Sequence, residues 1–315
     1  MALEMSTIGN DTELGIILNR DFLSLRTHYI EVGPDKICLP GRFEKYYEGY
    51  KNFKVHDDDV FILAFPKTGS RWTQELAWLL LNDLDYDAAR DTMLYIRSPL
   101  LELNAVFDDG RIPLDHLTNI VNSPSPRCIR THLHWSMLPH EITSGEKEPK
   151  IIVVLRGIED TCVSLFHQSN ILEGYTGTFD DFCKLFLGGK VPNGPYWKHV
   201  LGMWEQRNRR NIMFITYKEM LDDLETVVRN VAAFLGKHLS DDQVQSLVEY
   251  LHFDNLKKCK GFNMDSVKKI KETGINPFIR SGKVDGHKNI MLPDVIEEFK
   301  KQREANLKGT GLILE

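Results

Sequence analysis

Residues 65–72 read Phe65-Pro66-Lys67-Thr68-Gly69-Ser70-Arg71-Trp72. A lysine, two hydroxyls and a glycine in four consecutive positions are the materials of a phosphate-holding loop. Lys67 supplies a full positive charge, Thr68 and Ser70 supply hydroxyl donors, and Gly69 lets the backbone approach a ligand closely. An apolar run, Phe61 to Ala64, precedes the loop and a helix-like stretch follows it. A strand that turns into a helix aims main-chain N–H groups, and the positive end of the helix dipole, at one spot. The lysine comes before the glycine, so this is not the G-x-x-x-x-G-K-[ST] loop of ATPases.

Two other stretches carry chemistry that fits the loop. "CIRTHLHWSMLP" (128–139) places Arg130, Thr131 and His132 at a strand end. "VVLRGIEDTCVS" (153–164) places Arg156 just after a strand and Ser164 two turns into the next helix. Ligands of open α/β sheets bind at the carboxyl ends of the strands. Converging there, the three junctions would bring together a lysine, two arginines, hydroxyls and a histidine. That set suits an anion with two separated phosphates and a general base.

The elements that must position these residues are legible. "VFILAF" (60–65), "RCIRTH" (127–132), "KIIVVL" (150–155) and "NIMFITY" (211–217) are short and rich in β-branched or aromatic residues. Such runs suit strands buried on both faces of a parallel sheet. Trp72, Leu76, Leu79 and Leu80 repeat at helical spacing after the first. Ile158, Cys162, Leu165 and Phe166 do so after the third, and Met220 to Leu235 continue one helical pattern after the fourth. Alternating strands and helices predict a single α/β domain over 1–315 with a central parallel sheet flanked by helices, resembling P-loop kinases in architecture. Residues 1–40 are expected as a partly packed N-terminal extension, 83–126 as loops with short helices, and 257–288 as a mobile, lysine-rich segment.

Bulk composition removes several classes. Net charge is −6, with 39 Lys+Arg against 45 Asp+Glu, so nothing points to a nucleic-acid partner. The longest apolar runs, "LAWLLL" and "IIVVL", fall far short of the roughly 20 residues that span a bilayer. Five scattered cysteines without a C-x-x-C pair read as reduced thiols of a cytoplasmic protein.

Taken together, these motifs resemble the cytosolic sulfotransferases, from about Cys38-Leu39-Pro40-Gly41 to about Glu297. That family moves a sulfonyl group from 3′-phosphoadenosine 5′-phosphosulfate (PAPS) to a small acceptor, leaving 3′-phosphoadenosine 5′-phosphate (PAP). Its Y-P-K-S-G-T-T-W loop is matched by Phe65 to Trp72. Its K-T-H-L strand end is matched by Arg130-Thr131-His132-Leu133. Its R-N-x-x-D-x-x-x-S helix is matched by Arg156 to Ser164, its F-Y-E-D-M by Thr216 to Met220, and its late R-K-G loop by Arg280-Ser281-Gly282.

The resemblance implies roles. His132 is the base that takes the acceptor's proton, with His134 two residues on as a decoy to exclude. Lys67 stabilises the leaving oxygen, and Ser164 restrains Lys67 until the acceptor arrives. Arg130 keeps the charge at the family's lysine position beside the base. Lys67, Thr68, Gly69, Ser70 and Arg71 surround the 5′-phosphate, while Arg156 and Ser164 hold the 3′-phosphate. Trp72, Tyr217 and Phe253 contact adenine. Arg280, Ser281 and Gly282 close over the 3′-phosphate, which makes 257–288 a closing segment. No metal is implied. The acceptor pocket is expected near Leu100, Leu103, Phe107, Phe166 and His134-Trp135, apolar enough for a phenol, alcohol or steroid-like molecule.

The departures are specific. Arg71 replaces a threonine, Arg130 and Ser281 replace lysines, and Gly157 replaces an asparagine. The family's dimer motif is degenerate at Lys288 to Glu297, where Pro293 removes a donor, so the resemblance leaves a homodimer open. A kinase using ATP and magnesium would need a lysine after the glycine and an aspartate at a neighbouring strand end. A catalytically silent nucleotide-binding scaffold is the alternative that Arg71 and Ser281 keep open.

Overall fold

Seven strands among the described residues form two sheets. In chain order they are β1 (Met5–Thr7), β2 (Tyr29–Val32), β3 (Ile37–Pro40), β4 (Val60–Ala64), β5 (Cys128–Thr131), β6 (Lys150–Leu155) and β7 (Ile212–Thr216). The computed structural model describes residues 3–107, 116–263 and 286–314. The central sheet has the order β5-β4-β6-β7, and every pairing is parallel. It confirms the four strands and the α/β class read from the sequence.

The apolar runs of β4 and β6 are continuous because both faces of the sheet are covered. Alternate residues go to opposite cores. Phe61, Leu63, Ile129, Ile151 and Val153 enter one core, with Ile158, Cys162 and Leu165 of the helix Ile158–Gln168. Val60, Ile62, Ala64, Ile152 and Val154 enter the other, with Trp72, Leu76, Leu79 and Leu80 of the helix Ser70–Leu81. Each fully buried leucine here contributes about 1.5–3 kcal/mol. Two helices that follow β4 and β6 thus clamp the sheet from opposite sides and start at the same edge of it.

A buried ion pair fixes the other edge. Arg127, just before β5, donates from Nε to Asp59 Oδ1 at 2.7 Å and from Nη2 to Asp59 Oδ2 at 2.5 Å. Asp59 immediately precedes β4, so the pair aligns the starts of two neighbouring strands.

One expectation needs correction. The pattern from Met220 to Leu235 is not one helix. It breaks at Asp223, which leaves helical backbone (φ −149°, ψ 73°) and caps a second helix by accepting from Thr226 N–H at 3.0 Å. The helices are Tyr217–Asp222 and Leu224–Phe234. Within residues 1–40, Ile30, Val32, Ile37, Cys38 and Leu39 of the antiparallel sheet β1-β2-β3 are buried in the first core.

Short helices appear between β4 and β5 as expected, at Tyr86–Asp91, Leu94–Arg97 and His116–Val121. Pro293 opens the helix Pro293–Leu307, a position where its missing N–H costs nothing. All five cysteines are free thiols. No described helix is long and apolar enough to cross a membrane. Of the segment 257–288, residues 264–285 lie outside the described residues, and with them Arg280, Ser281 and Gly282.

Candidate functional site

The phosphate loop leaves β4 through Phe65 and Pro66. Lys67 takes a left-handed backbone (φ +74°), and Gly69 follows at φ +117°. A side chain on Gly69 would place its Cβ 3.0 Å from the Tyr217 ring, a tight contact, and the left-handed backbone there favours glycine. The helix Ser70–Leu81 then begins, and its opening N–H groups have no acceptor inside the helix. Thr68 corrects one expectation. Its hydroxyl is buried and turned inward, 2.9 Å from the carbonyl of Phe65 and 2.8 Å from that of Val154. It ties the loop to β6 instead of offering a side-chain donor to a ligand.

Trp72, Arg156 and Tyr217 meet beside the loop. The Trp72 ring packs edge-on against Tyr217 at 5.9 Å between centroids, and its indole N–H donates to the Leu251 carbonyl at 2.9 Å. The Arg156 guanidinium lies 4.3 Å from the Tyr217 ring centroid, and its Nη1 donates to the Lys67 carbonyl at 3.3 Å. Tyr217 is held there by a capping box, Thr216 with Glu219. Ser164 is buried on the helix Ile158–Gln168. Phe253 begins the helix Phe253–Lys258, two residues after the carbonyl that holds Trp72, and is partly buried. The three strand–helix junctions singled out in the sequence therefore open at one edge of the sheet.

Arg71 bridges the loop to a neighbouring helix. Its guanidinium donates to the Phe262 carbonyl and lies 5.0 Å from the Phe262 ring centroid. It thereby joins the phosphate loop to the helix Lys260–Asn263.

His132 sits one residue beyond β5 and is gripped from three sides. Its Nδ1 is 2.7 Å from the Ala64 carbonyl. A carbonyl only accepts, so Nδ1 carries the proton and Nε2 is left with its lone pair. The main-chain N–H of His132 donates to Glu102 Oε1 at 2.7 Å, and its carbonyl accepts from His199 Nε2 at 2.8 Å. Burial, reinforced by the charge of Arg130, holds the imidazole well below its ordinary value. His134 is different: its Nδ1 bonds Ser136 Oγ at 2.8 Å and its Nε2 bonds the Lys198 carbonyl at 3.0 Å. Nδ1 holds the local turn and Nε2 ties it to the helix Tyr196–Trp204, so both nitrogens are used.

The charges are of one sign and crowded. Burial first, then Arg71 and Arg156, pull Lys67 down to about 7. Burial pulls Arg130 down to about 10, and burial with Arg130 pulls Arg71 down to about 9. Arg130 Nε is buried with no hydrogen-bond partner among the described residues. Cations that are this destabilised, with an orphaned donor among them, fit a polyanionic ligand. Metal-ligand types gather elsewhere among the described residues, at His56, Asp58 and Asp59. That group stands before β4, and its Asp59 is already paired with Arg127.

A cavity of about 790 Å³ opens beside His132, Arg130, Arg71 and Pro66. Leu100, Leu103 and Phe107 line it as expected. Phe166 instead packs among Tyr175, Phe179 and Phe182, and neither it nor His134 and Trp135 is in the lining, which corrects that expectation. Three acidic or basic wall residues were among those missed: Glu102, and the ion pair of Arg26 with Glu173 at 3.2 Å. No local pattern marks them. Arg26 is 147 residues from its partner, and the link exists only after folding.

The sulfotransferase domain family matches residues 57–311 of this chain. A luciferin sulfotransferase of Photinus pyralis is 32% identical, covering 99% of this chain and 89% of that protein. An amine sulfotransferase of Oryctolagus cuniculus is 30% identical, covering 85% and 87%. A crystal structure of retinol dehydratase with androsterone and the inactive cofactor PAP superposes with a TM-score of 0.90 at 26% identity, covering 99% of this chain and 98% of that one. The same enzyme with retinol and PAP gives 0.89, covering 100% and 99%. The chain belongs to the sulfotransferase family and is an enzyme that transfers sulfonyl groups.

Proposed function

We propose that the protein transfers a sulfonyl group from PAPS to the hydroxyl or amine of a small, mainly hydrophobic acceptor, with His132 as the base. One observation carries this reading: Ala64 fixes the His132 proton on Nδ1, which leaves Nε2 basic in a ring that faces the apolar cavity with Arg130 and Arg71. The donor supplies an activated sulfonyl group. The rest is work for the chain. Lys67 and the opening amides of the helix Ser70–Leu81 hold the 5′-phosphate. Arg156 and Ser164 hold the 3′-phosphate, and Arg280 to Gly282 complete that grip. Trp72, Tyr217 and Phe253 bound the adenine.

His132 Nε2 accepts the acceptor's proton as the acceptor oxygen or nitrogen bonds sulfur. Lys67 meets the negative charge that returns to the bridging oxygen, and Ser164 restrains Lys67 before that moment. Arg130 stabilises charge spread over the sulfonyl oxygens. Positioning and charge stabilisation supply most of the acceleration in such transfers.

The cavity supports a lipophilic alcohol or phenol: Phe43, Ile96, Leu100, Leu103, Phe107 and Leu165 are in its wall. Androsterone and retinol, bound by the structural neighbour, are lipophilic alcohols. We place the enzyme in the cytoplasm, where its five free thiols are stable. A screen of phenols, alcohols, steroids and amines with sulfur-labelled donor tests this. Transfer to at least one class is expected. PAP binding with no transfer to any would replace the reading with a silent nucleotide-binding scaffold.

A further inference from the structure

The residue that organises the base is not among the motif residues. Pro99 to Leu101 zip onto the outer edge of β5: Arg130 N–H donates to the Pro99 carbonyl at 2.9 Å, and Leu101 N–H donates to the Arg130 carbonyl at 2.8 Å. The bridge Leu100–Arg130 is parallel. It delivers the next side chain, Glu102, to the end of β5. There one carboxylate oxygen accepts from the His132 N–H at 2.7 Å, and the other accepts from the Thr131 hydroxyl at 2.8 Å. Thr131 Oγ1 in turn accepts from Leu133 N–H at 3.1 Å. Glu102 thus organises three consecutive residues, 131 to 133, with His132 in the middle.

Glu102 is only 5% exposed, and burial raises its carboxyl to about 7. Its two oxygens are what the place requires, because the His132 N–H and the Thr131 hydroxyl would otherwise be orphaned. Glu102 lines the same cavity as Arg130 and His132. We propose that Glu102 is a positioning residue for sulfonyl transfer: by holding the main chain of residues 131 to 133 it sets where the His132 imidazole stands toward the cavity. It acts through His132 and touches no reacting atom.

The proposal rests on His132 being the base. Glu102→Ala removes both acceptor oxygens and frees the main chain of His132. The expected result is a fall in kcat of about tenfold, with PAP affinity within about twofold of wild type. Glu102→Asp keeps a carboxyl group but withdraws its reach; it should lower kcat in the same way, and it serves alone if the alanine variant does not fold. Glu102→Gln keeps an acceptor for the His132 N–H and should hold kcat within about twofold of wild type. Wild-type kcat in Glu102→Ala would overturn the proposal. So would losses of kcat, PAP affinity and melting temperature in parallel, which would mark a structural role only. If His132→Ala stays active, the reading of the base fails first, and that outcome is distinct from a fully active Glu102→Ala enzyme in which His132 is still required.

Discussion

His132 Nδ1 lies 2.7 Å from the main-chain oxygen of Ala64, the last residue of β4. Lys67 is three residues further along the same strand exit. The proposed base and the phosphate loop are therefore registered to each other through one strand end. A shift of either would break a hydrogen bond or strain the loop. The same contact fixes the tautomer, which makes the ring a base toward the cavity and not a donor.

The first expected outcome concerns acid pH. A base is lost when it is protonated, and His132 is held well below the ordinary imidazole value by burial and by Arg130. Its acid limb therefore moves to lower pH. kcat should stay level down through pH 6.5 and fall only below it. A limb at or above 6.5 would show that the ring is solvated or that another group titrates.

Lys67 gives the opposite sign. Its ammonium, pulled to about 7 by burial and by Arg71 and Arg156, is charged below that pH and neutral above it. An anionic nucleotide favours the charged form. PAP affinity should fall as pH rises through about 7, and binding at pH 8 should take up a proton. Titration calorimetry in two buffers of different ionisation heat reads that proton directly. Proton-neutral binding at pH 8 would mean that Lys67 is already charged in the free enzyme.

Arg71 is the one loop residue whose side chain reaches across to the helix Lys260–Asn263, through the Phe262 carbonyl and ring. Arg71→Thr removes that link and one positive charge from the cavity wall. PAP affinity should weaken by about fivefold, the equivalent of one hydrogen bond of about 1 kcal/mol. Unchanged or tighter binding would confine Arg71 to holding Phe262.

Much of this was legible because it is local. Two-sided burial of β4 and β6 writes itself as unbroken apolar runs, and a strand–glycine–helix junction is a short motif. The proposed site residues Lys67, Gly69, His132, Arg156 and Ser164 follow from such junctions. What was not legible is long-range. Thr68 turns inward because Val154, 86 residues away, accepts its hydroxyl. Glu102 reaches His132 only after Leu100 pairs with Arg130. The helix break at Asp223 was local but masked, because apolar spacing continues across a cap.

Stability is tested away from the cleft. Arg127 and Asp59 are both buried, at 2% and 0% side-chain exposure. Arg127→Met leaves the Asp59 carboxylate without its partner, a loss of about 3–5 kcal/mol. Urea unfolding should show that loss, while kcat of the folded variant stays near wild type. A loss under 1 kcal/mol would mean that the pair does not align β4 with β5.

The most direct measurement is single-turnover sulfonyl transfer by His132→Ala, alongside PAP affinity of the same protein. The expected result is a rate lowered by about 10²- to 10⁴-fold, with PAP bound within about twofold of wild type. Transfer at the wild-type rate with PAP still bound would contradict His132 as the base.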